Sequence, residues 1–432
     1  MEVVNREWEE VTLSSVSIGN KGSYGIAAPA VEYSKELYTY LRITDITDDG
    51  TLNKEGLKSV DDKNAEKYLL KPNDIVFART GNSTGRSYFY DGKNGDLVYA
   101  GFLIKFSLDS KKINPKYMRY YTLSSEYKGW VESFKTGSTR GNINAQTYGN
   151  MKIKLPPREQ QDFLVKILST LDEKIEVNNQ INKKLEEMGQ TIFKHWFVDF
   201  EFPDENGEPY KSSGGEMIES ELGMIPKGWK VVDISSIFNI KDGTHDSPKA
   251  IEEGYHLITS RHLMDTKLDF KNANKISETD YNEVNRRSKV DRYDILISMI
   301  GTVGNLYLVQ NEEIKFVIKN VGLFKTSEKL EMYEYIYSYL KTPLIKEYIN
   351  SRMAGSTQQY ISLTELRKIP VIIPEESTIN LIEEFKRMIN PVFNKIYTIT
   401  NEIEKLEELR DNLLPKLMSG ELRVPLEKDK IL

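Results

Sequence analysis

The sequence predicts a mixed α/β protein in which one domain plan is used twice and each copy is followed by a long helix. Ordered repeats, short apolar runs stopped by Gly, and helical seams of apolar residues carry that prediction. "WEEVTLSSV" at 8–16 returns as "WKVVDISSI" at 229–237, and "NDIVFARTGNSTG" at 73–85 as "YDILISMIGTVG" at 293–304. "GSTRGNINAQTYGNMKIKLP" at 137–156 returns as "GSTQQYISLTELRKIPVIIP" at 355–374. "KYMRYYTLSSEYKGWVESF" at 116–134 matches "EYIYSYLKTPLIKEYINSR" at 334–352 in its apolar and aromatic spacing. The pairs keep one order and lie 218–221 residues apart, the mark of a duplicated domain.

Within each copy, "DIVFA" and "DILIS" are continuous apolar runs of strand length closed by Gly. "MKIKLP" and "IPVIIP" read as strands that end on a Pro, which cannot extend a ladder. The segments at 116–134 and 334–352 carry apolar residues at helical intervals, so strands and helices are mixed rather than segregated.

After each copy the period becomes helical. Leu164, Leu168, Leu171, Ile175, Leu185, Ile192 and Trp196 follow steps of four and three, with Asn178 and Asn182 on the same seam, where buried amides fix register at a cost in stability. A second seam runs through Ile382, Phe385, Ile389, Val392, Ile396, Ile399, Ile403, Leu406, Leu413 and Leu417, and Pro391 is expected to bend or break it near its start. Two such seams most simply pack on each other, although the intervening domain leaves their polarity open. The reading therefore places the copies at 1–157 and 229–374, the helices at 158–200 and 375–432 with a short tail, and a Gly-, Pro-, Ser- and acid-rich linker at 201–228.

The 432 residues exceed one ordinary core and suit several domains. With no Cys there are no disulfides, thiolate metal sites or cysteine nucleophiles. No apolar run reaches the length of a membrane span, and the start "MEVVNREWEE" has no signal pattern, so a cytoplasmic protein that does not engage a membrane is expected. The net charge of -6 argues against a nucleic-acid binder until the chain is divided. The two copies carry +3 and +1, whereas the helices and linker together carry -10. Residues 101–157 hold 10 basic and 3 acidic side chains, enough for a local positive face on an acidic protein.

Catalytic constellations are sparse. His195, His245, His256 and His262 show no helical zinc spacing, so core or surface histidines are the better reading and no metal is expected. "GTVGN" lacks the Lys of a phosphate loop, and "IGTVG" reads as a tight turn rather than a dinucleotide loop. The polar loops beside the strands are more informative. "RTGNSTGRS" offers Arg79, Asn82, Ser83, Thr84 and Arg86. "GSTRGNIN" offers Ser138, Thr139, Arg140, Asn142 and Asn144, and "GSTQQYIS" offers Ser356, Thr357, Gln358, Gln359 and Tyr360. Lys241 and Thr244 in "KDGTHDS", paired with "NKGSYG" from Asn20, and Thr302 in "GTVG" complete the set. These residue types hydrogen-bond phosphates and base edges, although taken singly they are also ordinary turn and cap formers. Their recurrence at one place in both copies, with different identities in the variable slots, points to a recognition surface.

On the paired "GST" stretches, the strand-Gly signatures, "LPPREQQDFLVKIL", "IFKHWFVDF", "LGMIPKGW" and "LLPKLMSGELR", the chain resembles the specificity subunit of type I restriction-modification systems over essentially its whole length. The resemblance departs at "IPEESTI", which replaces the entry to the first helix, and at Pro391. It implies two target-recognition domains, each reading one half of a bipartite double-stranded DNA sequence. They would be held apart, in a pseudo-two-fold arrangement, by two long helices paired as an antiparallel coiled coil. It also implies that the helices dock two methyltransferase subunits, joined in cleaving assemblies by translocase-nuclease subunits. The chain itself would be non-catalytic and hold no cofactor, with S-adenosylmethionine on the partner methyltransferases. A helix over 158–197 would be on the order of 60 Å long, more than the roughly 34 Å of one duplex turn. The rival expectations are a coiled-coil adaptor that binds only proteins and a self-contained enzyme.

Overall fold

The computed structural model describes residues 8–134, 141–264, 267–355, 357–375 and 379–422. The chain forms two compact units, one drawn from 1–175 with 405–432 and the other from 176–404. The first carries β1 (Glu9–Thr12), β2 (Ser23–Tyr24), β3 (Ala30–Val31), β4 (Tyr38–Leu41), β5 (Lys58–Val60), β6 (Asp74–Ala78), β7 (Ser87–Tyr90), β8 (Leu97–Tyr99), β9 (Leu103–Ser107) and β10 (Lys152–Leu155). Its short helices are α1 (Pro115–Tyr121), α2 (Ser125–Glu132) and α3 (Ala145–Gly149), and α4 (Arg158–Phe197) follows. The second carries β11 (Met217–Ser220), β12 (Gly223–Pro226), β13 (Trp229–Asp233), β14 (Ile240–Asp242), β15 (Tyr255–Thr259), β16 (Asn274–Ile276), β17 (Ile295–Ser298), β18 (Leu306–Leu308), β19 (Phe316–Lys319), β20 (Val321–Phe324) and β21 (Pro370–Pro374). With these come α5 (Glu278–Ser288), α6 (Tyr333–Leu340), α7 (Pro343–Arg352), α8 (Leu363–Arg367) and α9 (Ile379–Met418).

The duplication is visible strand by strand. The pair β1–β10 has its counterpart in β13–β21, and the order β2-β9-β6-β7 in β14-β20-β17-β18. The order β5-β4-β8 matches β16-β15-β19, and β4–β8 and β15–β19 are both parallel pairs. The shared Asp of the two strand-Gly signatures has one task in both copies. Asp74 Oδ2 accepts from Lys71 N at 2.8 Å and Asp294 Oδ2 from Asp291 N at 2.7 Å, closing the turn that feeds β6 and β17. The residue before each Asp takes positive φ, Asn73 at 77° and Tyr293 at 72°, an uncommon backbone for a bulky Tyr. The Tyr293 ring stacks on Tyr333 with centroids 4.6 Å apart, which compensates locally.

The 116–134 segment, whose spacing is helical, forms two helices, α2 being capped where Ser124 accepts from Tyr127 N. Two expectations are corrected. The segment expected to be a linker holds the β11–β12 hairpin and buries Phe202 and Ile225 in the core of the second unit, since its scattered apolar residues outweigh its Gly and Pro content. Helix α9 runs through Pro391 without ending. The lost backbone hydrogen bond and the ring's clash with the preceding turn, together about 3 kcal/mol in a helix interior, are offset where Ile389, Val392 and Phe393 around the proline are buried.

Helices α4 and α9 are antiparallel in each unit. In the second, Asn178 donates to Glu402 Oε2 at 2.9 Å and Asn182 to Thr400 Oγ1 at 3.0 Å, while the rings of Phe193 and Phe385 lie 5.6 Å apart. Residue numbers rise on one helix as they fall on the other. In the first unit Arg410 donates to Asp172 Oδ1 at 3.2 Å, and Leu164 and Leu168 share a core with Leu414 and Leu417. Both seam asparagines are buried, as their positions predicted. Toward its end the α4 seam shifts by one residue: Phe193 and Phe197 are fully buried, whereas Ile192 and Trp196 are only partly so. A 3.6-residue helix drifts from a strict seam over several turns.

Candidate nucleic-acid interface

In both copies the polar loops are brought together by one framework. After β6 the chain turns through Gly81 (φ 77°) and Gly85 (φ 88°), and a Cβ at Gly85 would lie 2.3 Å from the Val131 side chain. Only Gly supplies both the positive φ and the close approach. This turn is bridged to the later loop, Thr80 pairing with Asn142, and Ile143 N donates to Arg79 O at 2.9 Å. In the second copy Ile300 pairs with Tyr360, and Ile361 N donates to Met299 O at 2.9 Å. The same junction is therefore built twice, with Asn142 and Tyr360 in equivalent places.

The structure separates the candidates by what their side chains do. Thr84 and Ser83 are buried, and the Thr84 hydroxyl donates to Gly81 O and Gly141 O, so Thr84 ties the two loops together rather than facing outward. Arg86 is held by Asp48 Oδ1 at 2.7 Å and Ile46 O at 3.1 Å. Asn144 is exposed and caps α3 by accepting from Thr147 N, the place taken in the second copy by Ser362 at the start of α8. Asn82 and Asn142 are exposed on the first copy. Thr302, Thr357, Gln358, Gln359 and Tyr360 are exposed on the second, where Gln359 O accepts from Gly301 N and Gly355 holds φ at 94°. Lys241 lies half-buried within β14, and Thr244 Oγ1 accepts from Asp246 N to shape the next loop. Ser138, Thr139, Arg140 and Ser356 lie outside the described residues.

Arg79 differs from the rest. Its guanidinium sits 5.0 Å over the ring of Tyr24, whose hydroxyl accepts from Ala145 N at 3.1 Å, and its own amide donates to Phe102 O at 3.0 Å. Tyr24 and Phe102 are large exposed side chains on this face. Sequence reasoning passed over both. Tyr24 stood in the "NKGSYG" motif and could have been found from it, but Phe102 carries no local signal. The strand pairing places Tyr24-Gly25 opposite Ile104 as it places Asp242-Gly243 opposite Gly322, so "SYG" is the true counterpart of "KDG". Beside Asp242 the second copy has Arg287, ion-paired at 2.5 Å, and His245, whose Nε2 lies 3.0 Å away.

Among the described residues no group of acidic and imidazole side chains is placed to hold a metal. His262 is buried and its Nδ1 accepts from Thr259 N, with burial and Arg261 pushing its pKa below the ordinary value. It is a structural histidine, in the position where Asp45 accepts from Arg42 N in the first copy. No described helix is long and apolar enough to cross a membrane.

Fold and loops together define a tandem recognition scaffold, a framework repeated with its exposed slots varied. The family model for the type I restriction modification DNA specificity domain matches the chain twice, over residues 5–187 and 226–408, and the chain belongs to that family. It is 24% identical to the type I restriction enzyme HindI specificity subunit of Haemophilus influenzae, over 96% of this chain and 100% of that protein. It is 26% identical to the MjaIX specificity subunit of Methanocaldococcus jannaschii, over 72% of this chain and 69% of that one. In fold it is similar to the crystal structure of a type I restriction-modification S subunit from M. genitalium, at 17% identity, a TM-score of 0.54, and 96% and 98% coverage of the two chains.

Proposed function

We propose that this chain is the DNA sequence-specificity subunit of a type I restriction-modification complex. Each repeat reads one half of a bipartite duplex site through its exposed loop residues, and the α4–α9 pair docks two methyltransferase subunits. The chain carries no catalytic group or cofactor of its own. S-adenosylmethionine resides on the methyltransferase subunits, cleavage on translocase-nuclease subunits where these join, and the complex works in the cytoplasm. One observation supports this above the others: an identical loop junction is built twice, with Asn142 in one slot and Tyr360 in the other. A protein-docking module has no need to vary one slot on a conserved frame, whereas reading two unlike half-sites requires it.

Exchange of residues 8–157 for the corresponding repeat of a relative tests the reading in the assembled complex. The methylated adenines mapped in DNA should change in one half of the target and not the other. Retention of the whole original target by the exchanged protein would refute the proposal. Binding to the cognate duplex should also fall steeply with salt, since phosphate contacts release counterions.

A further inference from the structure

We infer that Arg79 is the side chain by which the N-terminal repeat selects a guanine in its half-site, an inference that rests on the DNA-specificity reading above. Every other described arginine of this unit is spent on a carboxylate: Arg42 on Asp45, Arg86 on Asp48, Arg119 and Arg410 on Asp172, and Arg158 on Asp162. Arg79 has no carboxylate partner among the described residues. Its Nε is buried without a hydrogen-bond acceptor there, so its two terminal amines are the donors left to face a ligand.

The guanidinium is also positioned. Its backbone is gripped on both sides, by Phe102 O accepting from Arg79 N and by Ile143 N donating to Arg79 O. The guanidinium carbon lies 5.0 Å over the Tyr24 ring, and that ring is pinned by its bond from Ala145 N. A planar fork held in advance loses little entropy when it makes two parallel hydrogen bonds. Guanine presents two acceptors, O6 and N7, on its major-groove edge, and this end-on fork is the geometry that fits them. A phosphate would also accept such a fork, but the Arg79 slot is not conserved as a charge between copies: Met299 occupies it in the second repeat, where its O accepts from Ile361 N as Arg79 O does from Ile143 N. A backbone-positioning cation would serve both half-sites alike. A base-reading one would not.

The test selects bound duplexes from a randomised DNA library with the full chain assembled with its methyltransferase subunits, as wild type, Arg79→Ala and Arg79→Lys. The wild-type half-site assigned to the N-terminal repeat should contain a guanine whose preference falls roughly 5- to 140-fold in Arg79→Ala. The other half-site should be unchanged, and Arg79→Lys, which keeps the charge and loses the fork, should not restore the preference. Thermal melting confirms that each variant is folded, and Lys serves if Ala does not fold. A uniform loss of affinity over all sequences, with a shallower salt slope and rescue by Lys, would make Arg79 a phosphate contact and overturn the inference. Unchanged preference at every position would overturn it as well. If wild type selected no sequence at all, the DNA-specificity reading itself would fall first.

Discussion

The two repeats share a fold yet seat against the helix pair by different chemistry. In the first, Arg119 and the Tyr120 hydroxyl reach from α1 to Asp172 Oδ2 on α4, at 3.2 and 2.9 Å, and Arg410 of α9 reaches its other oxygen. One carboxylate thus gathers three elements. The same two positions of α6 in the second repeat are Tyr337 and Ser338, and the seat is aromatic: Phe193 lies 5.4 Å from Tyr335 and 5.6 Å from Phe385, with Phe197 4.8 Å from Tyr335. What persists in both copies is a pair of tyrosine hydroxyl bonds from this helix to its neighbouring strand. Tyr117 donates to Lys154 O and Tyr335 to Ile372 O, and Tyr121 to Lys152 O and Tyr339 to Pro370 O. Duplication has kept the bonds that lock each helix to its own edge strand, and left the helix-pair contact free to diverge.

Removing the centre of each seat gives the sharpest contrast. Phe193→Ala should cost about 3–5 kcal/mol, as expected for deleting a fully buried ring. Asp172→Ala should cost about 3 kcal/mol, because Arg119 and Arg410 lose their common partner. Denaturant unfolding of the full chain at low and high salt distinguishes them. The cost of Asp172→Ala should shrink as salt weakens the wild-type ion pairs, while that of Phe193→Ala holds. Equal salt response of the two variants would erase the distinction.

This contrast also marks how far the sequence could be read. The repeat, its buried strands and both long helices were legible because each rests on periodicity or turn chemistry within a few residues. "DIVFA" and "DILIS" became β6 and β17, and the seam asparagines are buried where their spacing placed them. Asp172 was not legible as a hub, because its partners stand 53 positions before it and 238 after it in the chain, and an acidic residue on a helix reads as a solvated one. The loop residues were identified as polar, but not sorted. Thr84 and Asn82 look alike in sequence, and only the approach of Gly141 O turns Thr84 inward. The burial of Phe202 in a segment rich in Gly and Pro was lost for the same reason: a tertiary contact overrides local composition.

A second, smaller effect tests the aromatic seat alone. Glu334 on α6 is 1% exposed, with Lys386 Nζ 3.9 Å away and no hydrogen bond to its carboxylate oxygens among the described residues. Burial pushes its pKa up to about 6 from an ordinary 4.5. Between those values the folded chain binds more protons than the unfolded one, so stability from this group is present below about pH 4.5 and lost as pH rises through 6. Glu334→Gln should therefore stabilise the protein by about 2 kcal/mol at pH 8 and by little at pH 4. Urea titrations at the two pH values measure this. A penalty at pH 8 would mean that the Lys386 pairing outweighs the burial. The first repeat has Lys116 at this position, half-buried rather than buried.

The smallest test compares the equivalent residues Tyr120 and Ser338 directly. Tyr120→Phe removes one hydroxyl that donates to a carboxylate and should cost about 1.5 kcal/mol. Ser338→Ala removes a hydroxyl that is 1% exposed and has no hydrogen-bond partner among the described residues. Its loss should be neutral or stabilising by about 0.5 kcal/mol, because an unpaired buried polar group opposes folding. Tyr120→Phe should thus lower the unfolding free energy while Ser338→Ala leaves it unchanged or raises it, although the changes are chemically the same. If both fell by a similar amount, Ser338 would have to be bonded in solution, and the second seat would be polar after all.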